Sequence, residues 1–229
     1  MTAPALQAVL FDLDGTLIDS VGLILASFRY ATETVLGVEM SDEDLLRNVG
    51  MPLRPQMEIL APGRADELVA VYREHNNAHH DAMLKGYEGV PEVLDELRGR
   101  GLSLAVVTSK GTPLMMRGLD RFGLTGRFDV LVSMDDVTAH KPDPAPLLYA
   151  AERLGVAPSQ CAYVGDSPHD VVAARAAGML AVGALWGAFP PERVREAGPD
   201  LTADDIREVP ALLADGAARA AEGSGREPA

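Results

Sequence analysis

Short apolar runs alternate along this chain with segments of helical pattern, and this alternation limits the possible folds more than any other sequence feature. The runs span residues 6–12, 103–108, 128–133, 161–165 and 180–185. Because each run is apolar on both sides, it is typical of a strand in a parallel sheet that helices cover on both faces. The sequence therefore predicts an α/β fold built on a doubly wound parallel sheet.

Each helical segment between these runs is followed by a glycine. Glycine adopts at little cost the left-handed backbone conformation that commonly ends a helix. The four predicted helices and their glycines are 91–100 with Gly101, 112–122 with Gly123, 142–154 with Gly155, and 168–177 with Gly178.

The stretch 17–85 interrupts the alternation, because it contains no run typical of a strand. Amphipathic patterns predict helices over 20–36 and from 65 to about 83. We therefore expect an all-helical cap over residues 17–85, inserted after the first strand, with hinges at 17–20 and 85–89.

The rest of the chain divides accordingly. Residues 1–16 and 86–215 are expected to form the α/β core, and residues 216–229, rich in Ala, Gly, Glu and Ser, a disordered tail. A chain of 229 residues can bury enough apolar surface to fold without disulfides, and its single cysteine, Cys161, excludes an intramolecular one.

The acidic surplus disfavours two classes of partner. The formal net charge is −14, whereas a nucleic-acid surface requires a basic stripe and an anionic membrane attracts basic segments. No apolar run approaches the ~20 residues of a transmembrane helix, and the N-terminus lacks the basic region of a signal peptide. We expect a cytoplasmic monomer or homodimer without nucleic-acid or membrane partners.

Two aspartates follow the first apolar run, in the segment Asp-Leu-Asp-Gly-Thr at 12–16. Because side chains of an extended chain alternate, Asp12 and Asp14 can face one pocket. Carboxylates this close repel each other unless a cation lies between them. Oxygen ligands without a cysteine or a required histidine favour Mg²⁺ over Zn²⁺. The segment therefore predicts a magnesium site at the end of a buried strand.

Polar residues also follow three further apolar runs. Ligands of open α/β sheets bind beyond the carboxyl ends of the strands, so these residues are expected to meet in one pocket. The pocket would hold the acids, hydroxyls and ammonium groups that phosphoryl transfer needs. Taken alone, each residue could instead cap a helix or lie in a solvated loop. The residues are Thr108, Ser109 and Lys110 after the second run, Lys141 beyond the third, and Asp166 and Asp170 after the fourth.

These motifs, in this order, resemble those of the haloacid dehalogenase-like superfamily of phosphohydrolases. The matches are the acidic segment at 12–16, the hydroxyl pair at 108–109, Lys141, and Gly-Asp-x-x-x-Asp at 165–170. The likeness covers nearly the whole chain, including a helical cap after the first motif. It implies an Mg²⁺-dependent phosphatase that acts on a small phosphorylated metabolite through an aspartyl phosphate.

The resemblance also implies a role for each residue of the core motifs. Asp12 would attack phosphorus, and Asp14 would protonate the leaving oxygen and later take a proton from water. Lys141 would offset charge on the nucleophile and the phosphoryl group. The implied metal ligands are Asp12, Asp14 through its backbone carbonyl, Asp166 and Asp170; the implied phosphate-binding residues are Thr108, with Ser109 as the second possible donor, and Lys110.

The substrate remains open. The loop 50–53 looks like the specificity loop of phosphoglycolate phosphatases, and Arg47 and Arg54 beside it could pair with an anionic substrate or simply lie in solvent. The segment 72–81 looks like the cap helix of bacterial inorganic pyrophosphatases of the same superfamily. We rank phosphoglycolate first and pyrophosphate second. A phosphosugar mutase, which is an isomerase, and a non-catalytic binding module are two further hypotheses.

Three histidines of the cap have no assigned role. Their spacing places His75 and His79 on one helical face, with His80 beside them. Zinc is conceivable, but no third ligand is evident, and a solvated or phosphate-facing helix is favoured. Trp186, after the fifth apolar run, is predicted to be a packing residue.

Overall fold

The computed structural model describes residues 5–214. Its strands and helices alternate along most of the chain, as the sequence predicts. The strands are β1 (Ala8–Phe11), β2 (Ile18–Asp19), β3 (Lys85–Gly86), β4 (Ser103–Val107), β5 (Val130–Val132), β6 (Cys161–Gly165), β7 (Leu180–Ala184) and β8 (Leu201–Ala203). The helices are α1 (Val21–Leu36), α2 (Asp42–Leu46), α3 (Leu53–Leu60), α4 (Ala65–Met83), α5 (Val90–Gly99), α6 (Thr112–Arg121), α7 (Ala145–Leu154), α8 (Pro168–Ala176) and α9 (Pro191–Glu196).

Six parallel strands form the central sheet, in the order β5-β4-β1-β6-β7-β8. Strand β1 lies in the middle and is fully buried. Its alternate side chains enter the hydrophobic cores on opposite faces of the sheet, Leu10 on one face and Phe11 on the other. This arrangement confirms the predicted doubly wound α/β fold.

The register of the central strands aligns their carboxyl ends. Phe11 of β1 lies beside Val106 of β4 and beside Val164 of β6. The residues that follow these three strands therefore emerge at one edge of the sheet. That edge is where ligands of doubly wound sheets bind.

The helical insert consists of α1 to α4, which all lie between β2 and β3. Phe28 of α1 and Tyr72 of α4 pack edge to face, with ring centroids 5.0 Å apart. Helix α4 has the predicted bounds. No helix of the described chain, residues 5–214, combines the length and apolar character needed to cross a bilayer.

The ends of the elements differ from prediction in places. All four glycines predicted to follow helices have positive φ angles, between 65° and 82°. Helix α7, in contrast, begins at Ala145 rather than Pro142, because the Asp143 side chain accepts a hydrogen bond from the Ala145 amide (2.8 Å) and forms a turn there. The predicted tail, 216–229, lies outside the described residues.

Three short strands were not predicted. Ile18 pairs antiparallel with Gly86, and Asp19 with Lys85, so the two predicted hinge segments form a small β-ladder and the expectation of no strand in 17–85 is wrong. The sixth strand of the main sheet, β8, was also missed. Two or three residues are too few to show a period, and these three strands, unlike the comparably short β5, do not lie within a longer apolar run.

Candidate active site

Three buried carboxylates meet beyond the carboxyl ends of β1 and β6. Asp12 follows β1, Asp166 follows β6, and Asp170 lies in the first turn of α8. One ligand oxygen from each lies within 4.8 Å of the other two, and the three residues are only 4%, 2% and 1% exposed. The aligned strand ends thus concentrate negative charge away from water.

This crowding changes the acidity of two of the carboxyls. Burial raises the pKa of Asp12 to about 7 and outweighs the opposing effect of Lys141, with a further contribution from Asp170. Burial, then the nearby Asp170 and Asp12, raise the pKa of Asp166 well above its usual range. A divalent cation would reverse both shifts, because it favours the charged carboxylates. The all-oxygen donor set is of the kind that Mg²⁺ prefers.

Lys141 is a buried cation beside this acidic cluster. Its Nζ donates hydrogen bonds to Asp170 Oδ1 (2.6 Å) and to the Tyr163 hydroxyl (2.9 Å). Asp12 Oδ1 lies 3.0 Å away but out of alignment for a hydrogen bond, so this contact acts through charge. Burial alone would lower the pKa of Lys141, but Asp12 and Asp170 hold it well above its ordinary value.

Asp170 uses both of its oxygens within the protein. Oδ1 accepts from Lys141, and Oδ2 accepts from the Ser167 amide (3.0 Å) and hydroxyl (2.6 Å). Ser167 in turn caps α8 by accepting from the Asp170 amide. Burial acts to raise the pKa of Asp170, but Lys141 and Ser167 outweigh it and lower that pKa. Asp170 is therefore an ionised anchor for Lys141.

Asp166 is held by the acidic segment 12–16 and by the loop after β7. Thr16 Oγ1 donates to Asp166 Oδ1 (3.1 Å), and the Ala188 amide donates to Oδ2 (2.7 Å). Trp186 Nε1 donates to the Thr16 carbonyl (3.1 Å), so this side chain does more than the predicted packing. A Cβ at Gly187 would overlap the Asp166 carboxylate. Sequence reasoning missed this loop, although a glycine directly after a strand-end tryptophan was a signal for a close approach.

Asp14 lies at the mouth of the cluster, with its side chain 18% exposed. Lys110 Nζ donates to Asp14 Oδ1 at 2.6 Å. Burial acts to raise the pKa of Asp14, but Lys110 outweighs it and lowers that pKa. An ionised Asp14 is suited to accepting a proton from water and less suited to donating one to a strongly basic leaving group.

The two hydroxyls after β4 have different surroundings. Thr108 is 5% exposed, and its Oγ1 accepts from the Lys110 amide (3.2 Å), which leaves the O–H free to donate within the part of the chain described. Ser109 Oγ instead donates to the Gly50 carbonyl of the helical insert (2.6 Å). Of the two, Thr108 is the one available to a phosphoryl oxygen.

A cavity of about 560 Å³ separates these strand ends from the helical insert. Its core side presents Asp12, Asp14, Thr108 and Lys110. The insert side, here named the insert wall, combines apolar and polar residues. The insert wall consists of Ile24, Phe28, Val49, Gly50, Met51, Leu53, Gln56, Tyr72, Arg73, Asn76 and Asn77.

The two arginines predicted to bind substrate lie elsewhere, and the structure differs from the prediction here. Arg47 is exposed and pairs with Asp44 one turn before it (2.6 Å), and Arg54 pairs with Asp66 across two helices (2.8 Å). Each guanidinium is drawn to a neighbouring acid on the protein surface. Among the described residues, the arginines that line the cavity are Arg73 of α4 and Arg117 of α6.

The three histidines do not form a metal site within the described chain. His75 and His79 share a helical face as predicted, with stacked rings 4.2 Å apart. His80 is fully buried, contrary to the expectation of a solvated helix, and its Nδ1 lies 2.8 Å from Asp81. Within residues 5–214, the cluster of three ligating side chains is the aspartate cluster described above.

Comparison with known proteins gives one family and two groups of relatives. Residues 9–184 match the family model for haloacid dehalogenase-like hydrolases. The chain is 39% identical over 208 residues to pyrophosphatase PpaX of Halalkalibacterium halodurans, covering 91% of this chain and 95% of that one. It is 40% identical over 186 residues to pyrophosphatase PpaX of Bacillus velezensis, covering 81% and 86%.

A solved structure from Haemophilus somnus 129PT, described as a "predicted phosphoglycolate phosphatase", has a similar fold. The TM-score is 0.78 at 28% sequence identity, and the match covers 90% of this chain and 97% of that one. Proteins similar to this chain thus include relatives named as pyrophosphatases and a structure described as a predicted phosphoglycolate phosphatase.

Proposed function

The chain belongs to the haloacid dehalogenase-like hydrolase family and is a phosphatase, and from this premise we propose that it hydrolyses inorganic pyrophosphate with Mg²⁺. The observation that carries the proposal is the placement of Asp12 at the cavity, with Lys141 3.0 Å from one oxygen and Asp166 and Asp170 beside it. Asp12 is the nucleophile, Lys141 a fixed cation, Asp166 a metal ligand and Asp170 the acid that anchors Lys141, and all four surround one point.

Asp12 and Asp166, with the backbone carbonyl of Asp14, would hold the Mg²⁺ ion, and Asp170 would support them from behind. When bound, the ion supplies positive charge to the phosphoryl oxygens and to the acidic cluster. The raised pKa values of Asp12 and Asp166 support this assignment, because buried acids in this arrangement need a compensating cation.

In the first half of the proposed reaction, an Asp12 carboxylate oxygen attacks phosphorus. A phosphorus–oxygen bond forms to Asp12, the bond to the bridging oxygen breaks, and the second phosphate leaves. Lys141 stays beside Asp12 and stabilises the charge that builds on the transferring group, while the Thr108 hydroxyl donates to a phosphoryl oxygen.

In the second half, water attacks the aspartyl phosphate. Asp14 accepts a proton from this water, the bond between Asp12 and phosphorus breaks, and Asp12 is regenerated. Asp14 then passes the proton to a departing phosphate and is ionised again for the next cycle. The net reaction consumes one pyrophosphate and one water and yields two phosphates.

Two observations favour pyrophosphate over phosphoglycolate, which the sequence alone ranks first. The relatives named as pyrophosphatases are 39% and 40% identical, whereas the neighbour described as a "predicted phosphoglycolate phosphatase" is 28% identical. Lys110 lowers the pKa of Asp14, which also favours a leaving group that needs little protonation, and phosphate is a much weaker base than the alkoxide of an ester.

Phosphoglycolate is the second candidate. The insert wall carries apolar side chains such as Phe28 and Met51, and the cavity of about 560 Å³ is large enough for an organic phosphate.

The test is a comparison of kcat/KM for pyrophosphate, phosphoglycolate and glucose 1-phosphate in the presence of Mg²⁺, with phosphate release as the readout. We expect pyrophosphate to exceed the two esters by at least about tenfold. A higher kcat/KM for phosphoglycolate would identify that ester as the substrate, and the proposed reaction through an aspartyl phosphate would still stand. Formation of a sugar phosphate isomer without phosphate release would indicate a mutase instead.

A further inference from the structure

Tyr163 places a hydroxyl in the middle of the buried sheet. The residue belongs to β6, is 1% exposed and pairs with Leu10 of β1. Phenylalanine would fill the same space without the cost of burying a hydroxyl, so the oxygen requires a partner that offsets desolvation. The groups around the Tyr163 hydroxyl are polar and lie behind the candidate active site.

The hydroxyl of Tyr163 contacts three polar groups. It donates to the Val107 carbonyl (3.0 Å), accepts from Lys141 Nζ (2.9 Å), and lies 3.2 Å from Asp170 Oδ1. Burial raises the pKa of Tyr163 well above its usual range, so the phenol keeps its proton at neutral pH. With one proton to donate, the oxygen retains lone pairs for the Lys141 ammonium.

The ammonium of Lys141 is thereby fixed at two points. A lysine side chain has a flexible four-carbon stem, and a single acceptor would allow the ammonium to rotate about that contact. Asp170 and Tyr163 accept from two of its N–H groups and so hold Nζ 3.0 Å from Asp12 Oδ1. Val107 is the last residue of β4 and directly precedes Thr108, so the same phenol links Lys141 to the strand end that carries the phosphate-binding hydroxyl.

We propose that Tyr163 is a positioning residue that, together with Asp170, holds the Lys141 ammonium beside the Asp12 nucleophile. The proposal rests on the proposed function, in which Lys141 stabilises charge on Asp12 and on the transferring phosphoryl group. Within the described residues, Tyr163 forms no hydrogen bond with the proposed metal ligands Asp12 and Asp166. It does not line the cavity either.

The test compares Tyr163→Phe with Tyr149→Phe, a matched loss of a hydroxyl from α7. For Tyr163→Phe we expect kcat to fall on the order of 10- to 100-fold, the cost of a lost hydrogen bond to a charged group, with KM changed by less than about threefold. Tyr149→Phe is expected to match the wild type. Thermal unfolding establishes that each variant is folded, and Tyr163→Met serves the same test if Tyr163→Phe does not fold.

A crystal structure of the Tyr163 variant separates positioning from general damage to the fold. The proposal expects Lys141 Nζ to move away from Asp12. An unchanged kcat, or a lower kcat with Lys141 still beside Asp12, would overturn it. Lys141→Ala identifies which idea has failed: full activity in that variant refutes the role of lysine in the proposed function, whereas an inactive Lys141→Ala with an unaffected Tyr163→Phe refutes only the role of Tyr163.

Discussion

The two sides of the cavity are built in different ways. On the core side, Asp166, Asp170 and Lys141 are almost completely buried, and each is held by two or more hydrogen bonds. On the insert wall, Arg73 is exposed, and across the cavity Arg117 of α6 pairs with the exposed Asp81 of α4. The side chains are therefore held most firmly where bonds are proposed to form, and least firmly where the rest of a substrate would lie.

Few polar contacts join the two sides within the described residues. Ser109 donates to the Gly50 carbonyl, and Arg117 forms an ion pair with Asp81 (2.9 Å) at the end of α4. Gly50 is close to the core as well, since a Cβ there would lie 2.9 Å from Ser167 Oγ. We therefore expect substitutions on the core side to change kcat and substitutions on the insert wall to change KM.

The largest effect is expected for Asp12→Asn. The amide cannot act as the nucleophile, so activity should fall by ~10⁴-fold or more in a phosphate-release assay. The protein should stay folded, and without metal its Tm should equal or exceed that of the wild type. The reason is that burial raises the pKa of Asp12 to about 7, so the charged carboxylate is unfavourable in the folded state at neutral pH. Activity close to that of the wild type would disprove the nucleophile assignment.

Metal removal is expected to have the next largest effect. Chelation of divalent ions should reduce kcat/KM by at least ~10²-fold, because the acidic cluster would then lack its compensating charge. Mg²⁺ should restore activity and Zn²⁺ should not, since the ligands are all oxygen atoms. An enzyme that works fully in chelator contradicts the metal assignment.

The adjacent hydroxyls provide a matched pair of smaller effects on the core side. Thr108→Val removes the proposed donor to a phosphoryl oxygen and should lower kcat by ~10²–10³-fold. Ser109→Ala removes only the contact with the Gly50 carbonyl and should change kcat/KM by less than about tenfold. Steady-state kinetics on both variants checks the ranking, and the reverse order would assign phosphate binding to Ser109.

The smallest effects are expected on the insert wall. Arg73→Ala should raise KM for pyrophosphate by about tenfold with little change in kcat, because a cation facing the cavity is lost. Arg54→Ala is the control from the same helical insert, and its exposed pair with Asp66 should contribute almost nothing to activity. Equal effects of the two substitutions would show that Arg73 does not contribute to substrate binding.

Much of the fold follows from local sequence signals. Apolar runs bounded by glycine-terminated helices predict the central strands, because burial on both faces demands apolar residues at every position. The short strands β2, β3 and β8 cannot be predicted in this way. They depend on partners that are distant in sequence, and two or three residues cannot show a period.

The sequence by itself determined that acidic residues lie together at the strand ends. In a parallel sheet, residues that directly follow neighbouring strands must emerge at one edge, so the segments 12–16 and 165–170 could be placed together from the sequence. The tertiary structure alone decided which arginine faces the cavity, how the loop at 186–188 supports Asp166, and that Tyr163 contacts Lys141. These contacts join side chains whose separation is set by helix packing and loop paths rather than by a repeating backbone geometry, and no local pattern encodes them.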